Sequence, residues 1–276
     1  ELIDSKKSDL VKGDRYFCQA YHDYNWKVSA SKIAIIYAVG DMITGKSFAN
    51  PFTGGVFMGS DTITGAIRSV REDNSIKAVV LRIDSGGGFV LAADEIWREL
   101  QLLKQVGKPL IVSMGDTAAS GGYYIATLAD QIIAEPSTVT GSIGVFTGRL
   151  NLKGLYDKIG IKKEIIKRGK NADFYSDYSD YSETHRQAMR ASVEEIYGGF
   201  VAKVADGRGM TKEEVDQVAR GRVWTGRQAH KIGLVDQLGG LDLALSVARE
   251  KAGLMGQQVE LVSLPQATWL YGLLNN

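Results

Sequence analysis

Two neighbouring stretches of the chain share one order: an apolar run, a turn of small residues, and a helical pattern. The first has an apolar run over 77–84, the sequence Ser-Gly-Gly-Gly at 85–88, and a helical pattern from about Val90. The second has an apolar run over 109–115, small residues around Ser120, and an apolar helical stretch behind them. Such alternation is typical of a largely parallel sheet with crossover helices. Because functional loops lie at the carboxyl ends of parallel strands, we expect both turns at one edge of the sheet.

The same alternation extends over much of the chain. Further strands are predicted over 32–39, 130–134, 161–168 and 259–262, and helices over 61–71, 152–159 and 241–252. From about Ser182 the pattern becomes mostly helical. Thr211 with Glu214 forms a capping-box pattern that starts a helix. The sequence therefore predicts an α/β domain of repeated strand and helix units with a helical carboxy-terminal part.

Ser120 lies in the sequence Ala-Ala-Ser-Gly-Gly, between a predicted strand and a predicted helix. Small neighbours let the backbone turn sharply and let another chain approach the hydroxyl. A helix N-terminus offers free N–H groups that favour developing negative charge. The local sequence supports two interpretations, a nucleophile in that position and a serine that merely caps the helix.

The glycines at 86–88 allow backbone N–H groups to point at a ligand. A phosphate loop and an ordinary tight turn are the alternatives. However, no Gly-Lys-Ser/Thr follows, and the spacing is not that of a dinucleotide-binding fingerprint. Free amides in one loop and a serine in the next suit an oxyanion hole and its nucleophile.

Four motifs in this order resemble the signal peptide peptidase A family of serine peptidases, and the similarity covers roughly residues 30–255. They are Asp-Ser-Gly-Gly-Gly at 84–88, the stretch 114–124, the stretch 136–144, and the stretch 221–229, which Gly-Leu-Val-Asp follows at 233–236. The resemblance implies a fold related to Clp protease and crotonase, and catalysis by a Ser–Lys dyad. It calls for no metal and no cofactor.

Carried onto this chain, the resemblance makes Ser120 the nucleophile. Gly87 matches the oxyanion glycine, and the Gly121 amide lies nearby. Ser142 matches a serine that helps to orient the lysine. The flanking Gly86 and Gly88 are expected to contact the substrate. One departure is that the family loop usually reads Ser-Pro-Gly-Gly, whereas Gly86 stands here in place of the proline.

The general base is missing from its expected place. In single-domain members the lysine lies just past a strand, three residues after a glycine, and here Ala172 occupies that position. A serine hydroxyl is a weak nucleophile without a base. None of the histidines, His22, His185 and His230, lies in a matching motif, so we expect them to be structural or solvated.

Three explanations for the missing base remain open. In long-form members the amino half contributes the lysine and the carboxy half the serine, and residues 14–24 resemble the connector that leads into the second half. Alternatively, Lys170 serves after a two-residue shift of the loop, although its polar neighbours do not favour the burial that a neutral lysine needs. The third explanation is that this half is catalytically silent.

Composition excludes several classes of protein. The 276 residues can bury a sizeable core. A net charge of +1 argues against a broad nucleic-acid-binding surface. The single cysteine, Cys18, excludes an internal disulfide.

No apolar run is long enough for a transmembrane helix, and no signal peptide is visible. The start resembles a fragment of a longer protein, so any membrane anchor is expected upstream.

These observations predict a connector at 1–30, a peptidase domain at 31–255, and a carboxy-terminal strand with an apolar tail at 256–276. The expected activity is that of a serine endopeptidase which cleaves signal peptides or other apolar segments through an acyl-enzyme. The resemblance further implies membrane association, an extracytoplasmic location and a homo-oligomer. The alternatives are crotonase-like acyl-CoA chemistry and a non-catalytic peptide-binding scaffold.

Overall fold

A central sheet of parallel strands organises residues 31–265, the part of the chain that the structure, a computed structural model, describes. Its strands, in spatial order, are β11 (Glu260–Leu264), β1 (Lys32–Val39), β5 (Ile76–Ser85), β6 (Leu110–Ala119), β7 (Gln131–Ala134) and β10 (Gln237–Leu238). All neighbours in this order run parallel. The predicted α/β class with a largely parallel sheet is therefore confirmed, and the late strand extends this sheet beyond β1.

Shorter strands extend or accompany the central sheet. They are β2 (Asp41–Ile43), β3 (Phe48–Ala49), β4 (Val56–Gly59), β8 (Val139–Gly141) and β9 (Val223–Thr225). Strands β2, β4 and β3 form a small separate sheet. Strand β8 pairs in parallel with the end of β6, and β9 pairs antiparallel with β8. This second arrangement brings the chain after residue 139 to the carboxyl end of β6.

The helices of the described chain alternate with the strands. They are α1 (Ser60–Glu72), α2 (Val90–Gln105), α3 (Gly121–Ala126), α4 (Lys153–Lys158), α5 (Glu183–Arg208), α6 (Lys212–Val218), α7 (Gly226–Lys231) and α8 (Leu241–Lys251). None of those in residues 31–265 is both long and apolar enough to cross a bilayer. The capping box predicted at Thr211 and Glu214 is confirmed at the start of α6.

Helices cover both faces of the sheet. On one face, the apolar stripes of α1 and α2 bury side chains such as Ile67 and Leu100 in the larger core. On the other face, Ala244 and Ala248 of α8 pack with Val80 and Ile111. Strands buried on both faces need apolar side chains in nearly every position, which explains the apolar runs that predicted them.

The strand predicted over 161–168 is wrong. These residues form no strand in the structure, and each of their side chains is exposed. A segment with strand-like composition becomes a strand only where a partner edge is available. Here two lysines of the segment instead form ion pairs, Lys163 with Asp177 and Lys167 with Asp173. The connector at 1–30, with Cys18 and His22, and the tail after 265 lie outside the described residues.

Candidate active site

Ser120 joins the end of β6 to the start of α3 in an unusual backbone conformation. Its φ is 52° and its ψ is −118°, a region that non-glycine residues rarely adopt. The Ser120 N–H donates to the Gly141 carbonyl (2.9 Å), and the Ser120 carbonyl accepts from the Tyr124 N–H (2.8 Å). Ser120 stands at the N-cap position of α3, but its hydroxyl makes no capping bond there. The capping interpretation therefore fails, and the hydroxyl is left for another role.

The two turns meet, as the sequence predicts. Ser85 of β5 pairs with Ala118 of β6 across an irregularity in the register. A Cβ built on Gly87 would lie 2.6 Å from the Gly121 nitrogen and 2.9 Å from the Ser120 Cβ. Gly87 has a φ of 103°, so the turn requires glycine both for its conformation and for this close approach.

The buried hydroxyl of Ser85 fixes the glycine turn. It donates to the Gly40 carbonyl (2.6 Å) and accepts from the Gly87 N–H (3.1 Å). Met42 of β2 adds two backbone bonds, since its N–H donates to the Gly87 carbonyl (2.7 Å) and its carbonyl accepts from the Phe89 N–H (3.0 Å). The motif at 84–88 contains Ser85, but its pattern indicates neither these side-chain bonds nor the part played by Met42.

The amides of Gly88 and Gly121 are two free donors beside Ser120 in the described part of the chain. A Cβ built on Gly121 would lie 3.4 Å from the Gly88 nitrogen, so the two loops place these amides close together. Within residues 31–265, neither N–H has an acceptor. The amide predicted at Gly87 differs, because it already donates to Ser85. Gly86, by contrast, has open space around the position of a Cβ.

Ser142 lies directly after the residue that binds the Ser120 backbone. Like Ser120 it has a positive φ, 48°. Its N–H donates to the Arg222 carbonyl (2.7 Å), in line with the pairing of β8 and β9. The structure thus places Ser142 near Ser120, and its action on a lysine stays a prediction.

A small apolar pocket opens beside Ser120. It is bounded by the first turn of α2, by α3 and by α5, with Val90, Tyr124, Ile196 and Phe200 among its lining residues. The rings of Tyr124 and Phe200 pack with centroids 5.0 Å apart. The helical spacing of Ile196 and Phe200 indicates a buried stripe of α5, but from the sequence nothing distinguishes a pocket wall from core.

Neither lysine nor histidine occurs among the described residues that line this pocket. Lys170 lies in an exposed turn outside it. His185 is buried in the capping box of α5, where its Nδ1 accepts from the Ser182 N–H. The ring of His230 contacts the Val235 carbonyl. Both described histidines are thus structural, as predicted, and the pocket itself supplies no base.

Comparison with known proteins places this chain in a family. The sequence model of peptidase family S49 matches residues 102–255. The chain is 43% identical over 235 residues to a serine protease SPPA, chloroplastic, of Arabidopsis thaliana, which covers 84% of this chain and 34% of that protein. It is 41% identical over 244 residues to Protease 4 of Salmonella typhi, covering 87% of this chain and 38% of that protein.

A shorter relative matches over most of its length. The putative protease slr0021 of Synechocystis is 38% identical over 210 residues, which cover 76% of this chain and 75% of that protein. The chain thus spans little more than a third of the Arabidopsis and Salmonella relatives. The chain belongs to peptidase family S49, the signal peptide peptidase A family of serine peptidases, and has a Clp protease/crotonase-like fold.

Proposed function

We propose that Ser120 is the nucleophile of an endopeptidase that works through an acyl-enzyme. The Ser120 Oγ attacks the peptide carbonyl while its proton moves to a neutral amine base. The carbon–nitrogen bond then breaks, and the departing amine takes up the proton. Water hydrolyses the ester in the second half of the reaction. The observation that carries this proposal is the uncapped hydroxyl of Ser120 on a sharp strand-to-helix turn beside two free amides.

The oxyanion of the tetrahedral intermediate would be held by the Gly88 and Gly121 amides. Donors directed at the developing charge stabilise the transition state, and a donor already bonded elsewhere is less available for this task. The Gly87 amide donates to Ser85, so we assign Gly87 to shaping the loop and Gly88 to binding the oxyanion. Gly86 would contact the substrate through its backbone.

The base would be a lysine from outside this chain. A lysine accepts a proton only as a neutral amine, which requires burial away from water, whereas Lys170 is exposed. We propose that the chain is the carboxy-terminal half of a two-half protein. The amino-terminal half, or another subunit of a homo-oligomer, would bring the lysine to Ser120, and Ser142 would orient it.

The substrate would be an apolar stretch of polypeptide, such as a signal peptide. The pocket beside Ser120 is walled by apolar and aromatic side chains, which suit an apolar side chain next to the scissile bond. From the resemblance to the signal peptide peptidase A family, we further propose that the protein works at a membrane, on its extracytoplasmic side.

A fluorophosphonate probe tests this proposal directly. The longest available form of the protein is treated with the probe, and the modified residue is identified by mass spectrometry. Modification of Ser120, lost in Ser120→Ala, is the expected result. Absence of modification together with binding of apolar peptides would favour the scaffold alternative. Binding of coenzyme A in place of peptides would favour acyl-CoA chemistry.

A further inference from the structure

A charged and aromatic cluster lies directly behind the pocket, on the same helices that form it. We propose that Lys203 of α5 is a positioning residue: by binding Asp94 and two aromatic rings, it fixes the width of the pocket beside Ser120 and so the size of the side chain that enters. This inference rests on the proposed function, in which that pocket receives a substrate side chain.

Lys203 and Tyr124 converge on one carboxylate oxygen. The Lys203 Nζ lies 3.4 Å from Asp94 Oδ1, and the Tyr124 hydroxyl donates to the same oxygen (2.6 Å). Burial, together with this hydrogen bond, raises the pKa of Tyr124, so its phenol remains a donor under all ordinary conditions. Asp94 of α2 therefore links α3 to α5.

Aromatic faces hold the same lysine. The Lys203 Nζ lies 4.2 Å from the centroid of the Trp97 ring and 5.3 Å from that of Tyr124, distances at which a cation is attracted to a ring face. Trp97 is itself fixed, because its Nε1–H donates to the Thr127 hydroxyl (3.0 Å) at the end of α3. The Lys203 ammonium group is thus surrounded by the Asp94 carboxylate and the rings of Trp97 and Tyr124.

Each helix of the cluster also supplies a pocket residue close by in sequence. On α2, Ala93 lines the pocket directly before Asp94. On α3, Tyr124 belongs to both the pocket and the cluster. On α5, Phe200 lines the pocket one turn before Lys203, and its ring packs against Tyr124. A shift of α5 at Lys203 would therefore move a pocket wall.

Helix α5 depends on such contacts for its position. From 186 to 199 its side chains are exposed or half-buried, and the pocket residue Ile196 belongs to this part. The helix enters the core with Phe200, Val201 and Val204. Lys203 thus lies in the buried part of α5, directly after the exposed stretch 186–199, and its contacts help to fix the position of that stretch.

The charge pair itself adds little to stability. The Asp94 side chain is 51% exposed, and ion pairs at such sites contribute little to the free energy of unfolding. Removing the Lys203 charge should therefore leave the protein folded, because Phe200, Val201 and Val204 still bury α5 in the core. It should, however, break the link between α5 and Asp94 next to the pocket. A variant that stays folded but binds peptides with altered selectivity would therefore show a positioning role rather than a merely structural one.

Peptide binding tests the inference. In a Ser120→Ala background, short apolar peptides that differ in one central side chain, alanine, leucine or phenylalanine, are titrated calorimetrically. Lys203→Met keeps the apolar stem and removes the charge. We expect the affinity ratio between the best and the poorest peptide to fall roughly fivefold, as for a lost coupling between neighbouring groups. Lys203→Arg should restore the ratio, and Lys212→Met, at an exposed lysine of α6, should leave it unchanged.

A second variant covers the case in which Lys203→Met fails to fold. Asp94→Asn keeps an oxygen for the Tyr124 hydroxyl but removes the partner charge of Lys203, and it should lower the same ratio. Unchanged selectivity in folded Lys203→Met or Asp94→Asn, with peptide binding intact, would overturn the inference and leave the proposed function standing. If the parent protein bound none of the peptides, the substrate part of the proposed function would fail, and this inference with it.

Discussion

Ser120 combines a strained backbone with a hydroxyl that has no capping task. Positive φ in a non-glycine residue costs on the order of 1–3 kcal/mol and persists only when the surroundings enforce it. Here the Gly141 carbonyl and the Tyr124 N–H hold the backbone on both sides. A serine kept in this conformation without a capping bond fits selection for reactivity rather than for stability.

Substitutions of Ser120 test whether its backbone conformation is strained. Ser120→Gly should be more stable than Ser120→Ala by about 1 kcal/mol, because glycine adopts the required backbone angles without strain. Thermal unfolding followed by circular dichroism measures the difference. In the complete two-half protein, both variants should lose probe labelling. Equal or reversed stabilities would show that the backbone at position 120 is not strained.

The three consecutive glycines offer a matched series. A Cβ at Gly88 would lie 2.2 Å from the Met42 carbonyl oxygen, and one at Gly87 would lie 2.6 Å from the Gly121 nitrogen, whereas one at Gly86 would meet open space. Gly87→Ala and Gly88→Ala should therefore abolish labelling of the complete two-half protein and lower stability by more than about 1 kcal/mol. Gly86→Ala should keep the stability of the parent protein, and a loss as large as that of Gly87→Ala would contradict the assigned geometry.

At this scale the sequence predicts which loops meet but not which amide is free. The small residues around Ser120 and at 86–88 indicate the site, because both follow buried strands of one parallel sheet. The assignment between Gly87 and Gly88 depends on the Ser85 hydroxyl, which also binds the distant Gly40 carbonyl. Such a long-range bond leaves no signal in the local pattern.

At the scale of elements, α5 connects the core to the pocket. Its Gly198 and Gly199 have open space around the positions of their Cβ atoms, whereas a Cβ at Gly207 would lie 2.0 Å from the Thr127 carbonyl oxygen. Gly207 is thus required for close packing of α5 on the end of α3. The pair at 198 and 199 has no such packing reason within the described chain.

Alanine substitutions in α5 should therefore act in opposite directions. Gly198→Ala and Gly199→Ala should each stabilise the fold by roughly 1 kcal/mol through helix propensity, while Gly207→Ala should destabilise it through the clash with Thr127. Chemical denaturation of the three variants measures this. A stability loss at 198 or 199 would mean that these glycines pack against something beyond residues 31–265.

Strands with both faces buried could be predicted from the sequence. Strands that form only where a neighbouring strand offers a free edge could not. The apolar runs of β1, β5 and β6 are enough to predict these strands, because each strand lies between two others in the sheet. The segment 161–168 has similar strand-forming residues but finds no partner edge in the described chain. Strand β6 also continues past the predicted end at Gly115, because β8 pairs with its last residues.

At the scale of the whole molecule, the described site is incomplete as a Ser–Lys centre. It has a serine, two free amides and an apolar pocket, but the pocket contains no lysine among its described residues. The chain also covers only 34% of the Arabidopsis relative and 38% of the Salmonella relative. Both facts support a base contributed by another part of the protein or by a neighbouring subunit.

Probe labelling of Ser120 in two forms of the protein tests this central claim most directly. The isolated 276-residue chain and the complete two-half protein are compared, with Ser120→Ala and Lys170→Ala made in each. We predict labelling only in the complete protein, lost with Ser120→Ala and unchanged with Lys170→Ala. Labelling of the isolated chain that disappears in Lys170→Ala would contradict the account, because the dyad would then lie within this chain.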